Sequence, residues 1–128
     1  MSQIPTIVIV GAGLGGAIAA FDIRHAVGDR ARVVVVSEGD SFNFTPSNPW
    51  LAVRWRTPES IRVSLPPVMR RKGIEFIGVG AKALRTADKA VELADGRILA
   101  YDYLVIATGP ELAFDEVPGL GPQGPTRS

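Results

Sequence analysis

The sequence contains no cysteine and only one histidine, His25. The absence of cysteine excludes disulfides, thiolate metal sites and cysteine-based redox chemistry within these 128 residues. A single histidine likewise excludes a metal site built from several imidazoles. Because His25 falls late on a predicted helix, we expect it to be a surface residue.

Excess charge and long apolar runs are also missing. A net charge of +1 provides no general attraction to nucleic acid or to an anionic membrane, so we expect no nucleic-acid partner. No apolar run approaches the length of a membrane-spanning helix, and the run over 7–10 is too short for a signal peptide. A cytoplasmic location is therefore expected. The hydrophobic fraction of 46% suits one globular domain with its own core.

The order of patterns in the first third of the chain predicts a βαβ unit. Residues 7–10 and 33–36 are short runs rich in β-branched residues, typical of parallel strands buried on both faces. Between them, apolar residues at helical spacing predict a helix over 13–26, and Gly28 is a plausible stop signal. We therefore expect an α/β fold with a Rossmann-like parallel sheet and a right-handed crossover.

The rest of the chain predicts an interrupted version of that fold. Residues 38–56 are rich in aromatics but lack a clean period, which indicates a long ordered loop with a helical turn. An Asp95-Gly96 turn predicts a hairpin. The predicted elements are a helix over 65–72, a strand over 74–79, hairpin strands over 91–93 and 97–99, and a strand over 104–107. The expected domain covers 1–109, and 110–128 would be a Pro/Gly-rich connector.

The segment Gly-Ala-Gly-Leu-Gly-Gly over 11–16 matches the G-x-G-x-x-G fingerprint of a dinucleotide site. Gly11 would permit the tight turn, Gly13 the approach of a pyrophosphate, and Gly16 the packing of helix against strand. The helix N-terminus, which begins near Leu14 and Gly15, would stabilise the phosphates. Ser37 and Glu38 end the second strand, where Glu38 can accept hydrogen bonds from ribose hydroxyls. This fingerprint alone does not separate NAD from FAD, and a glycine-rich turn without a ligand is the competing interpretation.

The later strands favour FAD. The third strand leads to the hairpin, and the chain returns through a strand ending in Ala107, Thr108 and Gly109. This arrangement resembles the glutathione-reductase-like FAD domain of flavoproteins with two dinucleotide sites, where a β-meander leads to a strand ending in Ala-Thr-Gly. The resemblance implies that this strand end passes close to the pyrophosphate and ribityl region of FAD.

Two segments resemble sulfide:quinone oxidoreductases more narrowly. They are Phe-Asn-Phe-Thr-Pro-Ser-Asn-Pro-Trp over 42–50 and Tyr-Asp-Tyr-Leu-Val-Ile-Ala-Thr-Gly-Pro over 101–110. The resemblance implies that Pro46 and Asn48 lie near the flavin end of the cofactor, and Val79, Gly80 or Ala81 near the adenine. The predicted FAD-binding residues are Gly11, Gly13, Leu14, Gly15, Gly16, Ser37, Glu38, Pro46, Asn48, Val79, Ala81, Ala107, Thr108 and Gly109.

The chain departs from that family in what it lacks. It has neither a second nucleotide-binding domain, nor redox cysteines, nor a quinone-binding C-terminal region that meets the membrane. We therefore expect an N-terminal segment that does not itself turn over sulfide and that self-associates through exposed apolar surface. Sulfide, quinone and peripheral membrane contact would belong to the full-length parent. Alternatives are a type II NADH dehydrogenase, a flavocytochrome-type sulfide dehydrogenase, or a non-catalytic nucleotide-binding module.

A basic stretch over 54–72 is not explained by these assignments. It holds six cationic residues against the single acid Glu59. Two interpretations stay open: a solvated face, or a docking surface for an anionic group or lipid headgroups. Trp50 and Trp55 are expected to pack within the loop. The cationic residues are Arg54, Arg56, Arg62, Arg70, Arg71 and Lys72.

Overall fold

The structure is a computed structural model that describes residues 3–121. This part of the chain forms nine strands and three helices. They are β1 (Thr6–Val10), α1 (Leu14–Val27), β2 (Arg32–Val36), β3 (Ser41–Asn43), α2 (Asn48–Ala52), β4 (Arg62–Ser64), α3 (Leu65–Arg71), β5 (Glu75–Ile77), β6 (Ala81–Arg85), β7 (Ala90–Leu93), β8 (Ile98–Ala100) and β9 (Tyr103–Ile106). Short 3₁₀ turns cover Gly28–Arg30, Thr45–Ser47, Pro58–Ile61 and Phe114–Glu116.

A four-stranded parallel sheet forms the centre of the fold, in the order β5-β2-β1-β9. Val8 of β1 is paired with Val34 of β2 on one side and Leu104 of β9 on the other. The carboxyl ends of β1, β2 and β9 therefore lie side by side at one edge of the sheet. This arrangement confirms the predicted α/β class and the parallel βαβ unit.

Each face of the sheet is covered by a different layer. Ile9, Val33 and Val35 pack with α1 and α3 on one face, where Ala20 and Met69 are fully buried. The alternating positions of the same strands pack against the β6–β8 layer on the other face. That second cluster contains Val8, Val10, Val34, Val36, Val91 and Leu93. Because both faces are covered, β1 and β2 are continuous apolar runs rather than alternating ones.

The layer on the second face is an antiparallel meander of β6, β7 and β8. The Asp95-Gly96 turn joins β7 and β8 as expected, with Gly96 at φ +90°. The strand β6 has no counterpart among the predicted elements. Its sequence, Ala-Lys-Ala-Leu-Arg, is neither a continuous apolar run nor a strict alternation, and every residue of Ala81–Arg85 is exposed.

The segment over 38–56 is more ordered than the predicted loop. It contains β3, a 3₁₀ turn and α2, and β3 pairs antiparallel with β4. The backbone N–H of Phe44 donates to the carbonyl of Ile61 at 3.0 Å, which extends this pairing. The expectation of a loop was wrong for β3 because a three-residue strand is too short to show a period. The predicted strand over 74–79 is also shorter, at Glu75–Ile77.

Asp102 links β9 to β1 through its side chain, and His25 is exposed as expected. The carboxylate of Asp102 accepts a hydrogen bond from the backbone N–H of Thr6 at 2.7 Å, and Asp102 N–H donates to the Thr6 carbonyl at 2.8 Å. Asp102 thus fixes the start of β9 against β1. His25 is exposed on α1. Among residues 3–121, no helix combines the length and apolar character that crossing a membrane requires.

The predicted connector over 110–128 is described only as far as residue 121. Its described part is mostly exposed and contains the single 3₁₀ turn Phe114–Glu116. Residues 122–128 lie outside the described part of the chain. The boundary at 109 and the self-association of the chain stay predictions, although Tyr103 and Ile106 of the edge strand β9 are 64% and 60% exposed.

Candidate cofactor-binding groove

The glycine loop joins the end of β1 to the start of α1, and two of its glycines are required by the fold. Gly11 has φ +106°, and a Cβ there would overlap the carbonyl oxygen of Ala107 on the neighbouring chain segment. A Cβ on Gly16 would overlap the carbonyl oxygen of Gly11. Any larger residue at either position therefore collides with backbone, which has no flexible end that could move away.

The other two glycines of the loop face open space. A Cβ added to Gly13 or Gly15 would meet no atom within 4 Å. Gly13 has φ −72° and ψ −164°, an extended conformation open to any residue. Neither packing nor backbone conformation therefore explains the lack of a side chain at 13. The space above these two residues is a cradle that a side chain would begin to fill.

The N-terminus of α1 opens into the same space. No side chain caps it, and no acidic residue occurs in its first turn. Ala17 N–H donates to the Gly13 carbonyl at 2.9 Å, so the helix hydrogen-bond ladder begins there. The N–H groups of Leu14, Gly15 and Gly16 precede that first bond and carry the positive end of the helix dipole. An anion such as a pyrophosphate is the ligand that this arrangement favours.

A cavity of about 300 Å³ lies on one side of the glycine loop. Ser37 and Glu38 border it at the end of β2, and Thr108 borders it after β9. Gly80 lies against Glu38: a Cβ added to Gly80 would be 3.4 Å from the Glu38 Cβ. The cavity thus presents a carboxylate beside the helix N-terminus. Its lining is Val10, Gly11, Ala12, Gly13, Val36, Ser37, Glu38, Gly80, Ala81 and Thr108.

A second cavity of about 480 Å³ lies on the other side of the loop. It is bordered by Leu14 and by the segment 42–46, whose two phenylalanines make this side more apolar. Both cavities share Gly13 and Thr108, so together they form one groove across the glycine loop, from Glu38 at one end to Pro46 at the other. The second lining is Gly13, Leu14, Gly15, Phe42, Asn43, Phe44, Thr45, Pro46, Ala107, Thr108, Gly109 and Pro110.

Most of the residues predicted from the sequence lie along this groove, and three do not. Gly16 lies behind the loop, against Gly11. Val79 is half-buried and packs on the meander side of the sheet. Asn48 borders a separate depression with Asn43 and Arg62. The predicted residues that line the groove are Gly11, Gly13, Leu14, Gly15, Ser37, Glu38, Pro46, Ala81, Ala107, Thr108 and Gly109.

The predicted set of FAD-binding residues omitted nine residues that line the groove. Five of them are Val10, Ala12, Val36, Gly80 and Pro110. The other four form the wall at the Pro46 end: Phe42, Asn43, Phe44 and Thr45. They precede Pro46 in the segment that resembles sulfide:quinone oxidoreductases, so their position in that segment was the available signal. Their contribution depends on β3, which the sequence did not reveal.

The family model for pyridine nucleotide-disulphide oxidoreductases matches residues 5–127. The chain belongs to this family. The match includes the glycine loop, the meander and β9, so the predicted resemblance to two-dinucleotide flavoproteins is confirmed. Membership implies a flavin cofactor for the whole protein.

Individual members of the family share the fold and part of the sequence. Sulfide-quinone reductase of Aquifex aeolicus is 39% identical over 108 residues, covering 84% of this chain and 25% of that protein. The crystal structure of the Aquifex aeolicus enzyme superposes with a TM-score of 0.83 at 38% identity, over 86% of this chain and 25% of that one. Putidaredoxin reductase CamA of Pseudomonas putida is 34% identical over 113 residues, which cover 85% of this chain and 26% of that protein.

The chain spans about a quarter of the length of these relatives. NDH2 of Plasmodium falciparum, solved in complex with NADH, superposes with a TM-score of 0.77 at 23% identity over 91% of this chain and 25% of that one, which shows the shared fold alone. The narrower resemblance to sulfide:quinone oxidoreductases is confirmed by the 39% identity to the Aquifex aeolicus protein and by the TM-score of 0.83 to its crystal structure.

Proposed function

We propose that this chain is the FAD-binding N-terminal part of a sulfide:quinone oxidoreductase. The observation that carries the proposal is the groove across the glycine loop. It joins a carboxylate, a helix N-terminus and an apolar wall in the order in which FAD presents ribose, pyrophosphate and isoalloxazine ring. The 39% identity to sulfide-quinone reductase of Aquifex aeolicus supports this branch of the family.

The residues that would hold FAD fall into three groups along the groove. The first turn of α1 and the open surface of Gly13 would receive the pyrophosphate. Glu38 would accept hydrogen bonds from the adenosine ribose. Leu14 and the wall formed by residues 42–46 would contact the apolar ring system. When bound, FAD supplies the electron-transfer chemistry, and this chain binds and orients it.

Sulfide and quinone would be partners of a full-length protein. Because these 128 residues contain no cysteine, the thiol steps expected of such an enzyme require residues that this chain does not supply. The chain alone should therefore bind cofactor without oxidising sulfide. A full-length parent would lie at the membrane periphery, where quinone is available.

A cofactor titration of the 128-residue protein tests the proposal. Flavin fluorescence and equilibrium dialysis should give FAD an affinity at least about tenfold above those of FMN and NAD, because FMN lacks the ADP half and NAD lacks the flavin ring. ADP should compete with FAD, since both would use the glycine loop. Equal affinity for FAD and FMN, or a preference for NAD, would contradict the assignment.

A second candidate is another electron-transfer branch of the same family. The 34% identity to putidaredoxin reductase favours it. Electron transfer by a full-length parent separates the two candidates, with sulfide and NADH compared as electron donors and quinone and putidaredoxin compared as acceptors. Sulfide-dependent reduction is expected, and reduction by NADH without a response to sulfide would favour the second branch.

A further inference from the structure

An exposed loop follows the end of α2. The helix stops in a Schellman motif, in which Arg54 N–H donates to the Leu51 carbonyl at 3.0 Å and Trp55 N–H donates to the Trp50 carbonyl at 2.8 Å. We call residues 53–57 together with Ser60 the Trp55 surface. It encloses a shallow depression of about 350 Å³.

The left-handed position of this motif holds an arginine. Arg54 has φ +60°, at the place in the motif where glycine is usual. Glycine would adopt this conformation without the steric cost that a Cβ brings. An arginine kept at a position better suited to glycine indicates that its side chain has a use on this surface.

Trp55 does not pack against the helix, although it occupies the position of the motif that commonly does. In a Schellman motif the residue after the left-handed one commonly packs against the helix, here against Trp50. Arg56 takes that place, with its guanidinium 5.2 Å from the centre of the Trp50 ring and a 2.7 Å hydrogen bond to Oγ of buried Ser47. Trp55 consequently stays 78% exposed, and Val53 beside it stays 56% exposed.

The charge around Trp55 is positive. Arg54, Arg56 and Arg62 lie in a segment with Glu59 as its one acid. The ion pairs among residues 3–121 involve Arg32, Lys82, Arg85 and Arg97, and none of them includes an arginine of this segment. Trp55 is exposed and has arginines on both sides in the sequence. Tryptophan and arginine are the side-chain types that concentrate at the headgroup level of a bilayer.

We propose that the Trp55 surface docks on anionic lipid headgroups at a membrane interface. Trp55 and Val53 enter the headgroup region, while Arg54 and Arg56 contact lipid phosphates. Arg56 donates a hydrogen bond to Ser47, the last residue of the 3₁₀ turn Thr45–Ser47. Thr45 and Pro46 of that turn border the apolar end of the groove. Docking therefore brings that end of the groove close to the lipid. The inference rests on the proposed function, which places a full-length parent at the membrane periphery, and adds the surface that makes the contact. Lipid docking requires neither bound FAD nor sulfide chemistry, so a failure of vesicle binding is distinguishable from a failure of cofactor binding.

Vesicle binding tests the proposal on the 128-residue protein. Sedimentation with vesicles of phosphatidylglycerol and phosphatidylcholine should show binding that weakens with salt, and vesicles of phosphatidylcholine alone should bind much less. Arg54→Gln should lower the partition coefficient about fivefold, and Trp55→Ser should lower it further. In a Trp50→Phe background, Trp55 emission should shift to the blue and be quenched by brominated lipid.

Lys89→Gln is the matched control. Lys89 is exposed and has φ +49°, but it lies in the turn between β6 and β7, outside the Trp55 surface. It should leave vesicle binding unchanged. Equal losses from Lys89→Gln and Arg54→Gln, or no binding to anionic vesicles, would overturn the proposal. So would competition by inorganic phosphate without any blue shift of Trp55, which would indicate a site for soluble anions instead.

Discussion

The two ends of the groove are built in different ways. At the Glu38 end, the wall consists of the carboxyl ends of parallel strands, and the fold itself requires glycine at 11 and 16. At the Pro46 end, the wall consists of the end of β3 and the 3₁₀ turn that follows it, which are held by β4 and by the hydrogen bond from Arg56 to Ser47. The first end is fixed by backbone packing, whereas the second depends on a few side-chain contacts. Substitutions should therefore damage the two ends by different mechanisms.

The largest effect is expected from Gly16→Ala. The new methyl group collides with the Gly11 carbonyl, so the free energy of unfolding should fall by roughly 3 kcal/mol. Urea denaturation measures this change. Gly15→Ala is the matched control, because its methyl group meets open space and alanine favours the helix by up to about 1 kcal/mol. If both variants lose equal stability, the steric account of Gly16 is wrong.

Gly13→Val should separate binding from folding. Its side chain would occupy the open cradle above the loop, so FAD affinity should fall by about a hundredfold, or 2.7 kcal/mol. The melting temperature without cofactor should change little, because the extended conformation of Gly13 suits valine. Isothermal titration with FAD and with ADP should show both ligands weakened. An unchanged affinity for FAD would show that Gly13 is not part of the binding site.

Arg56→Met should affect the Pro46 end selectively. Losing the guanidinium leaves Ser47 Oγ buried without this donor, which should cost about 1–3 kcal/mol of stability. The loop would also be held less firmly, so FAD affinity should fall while ADP affinity stays constant. Ser47→Ala provides the second arm of a double-mutant cycle. Equal losses for FAD and ADP would show that the two ends are not independent.

Arg54→Gly should stabilise the chain. Glycine relieves the left-handed conformation at φ +60°, so the free energy of unfolding should rise by about 1 kcal/mol. Thermal unfolding detects such a change. Lys89→Gly, in the turn between β6 and β7, should raise the free energy of unfolding by a similar amount. Only Arg54→Gly should also weaken vesicle binding. If Arg54→Gly is stabilised but binds vesicles as well as the unsubstituted protein does, Arg54 does not contact lipid phosphates as proposed.

The smallest effect concerns Glu92 of the meander, which lines neither end of the groove. Arg85 donates a hydrogen bond to Glu92 at 2.8 Å, which, with nearby Lys82, lowers the pKa of Glu92 below its ordinary value. A carboxyl with a lowered pKa in the folded state contributes stability that is present above its unfolded pKa and is lost as pH falls through the folded one. Glu92→Gln should therefore slightly flatten the acid limb of the melting-temperature profile and leave FAD affinity unchanged. Arg97→Gln, on the separate Asp95 pair, should not alter the contribution of Glu92.

Much of the Glu38 end was predictable because its signals are local. The apolar runs of β1 and β2, the glycine spacing and the Asp95-Gly96 turn each lie within a few consecutive residues. The Pro46 end was less predictable. Its β3 is paired with a strand about twenty positions away, and a three-residue strand has no period to detect. The strand β6 was not predicted for a related reason: all its residues are exposed, so no buried face gives its sequence a pattern.

The sequence by itself determined the parallel sheet, the βαβ unit and the position of the glycine loop, because apolar runs and glycine spacing follow directly from backbone geometry. Tertiary structure decided which glycines serve the fold and which leave space for a ligand. Gly11 meets the carbonyl of Ala107 only after β9 has paired beside β1, and that pairing joins distant parts of the chain. Tertiary structure also decided that Arg56 packs on Trp50 while Trp55 stays exposed. The reason is that competition between two side chains for one ring depends on the completed turn rather than on either residue alone.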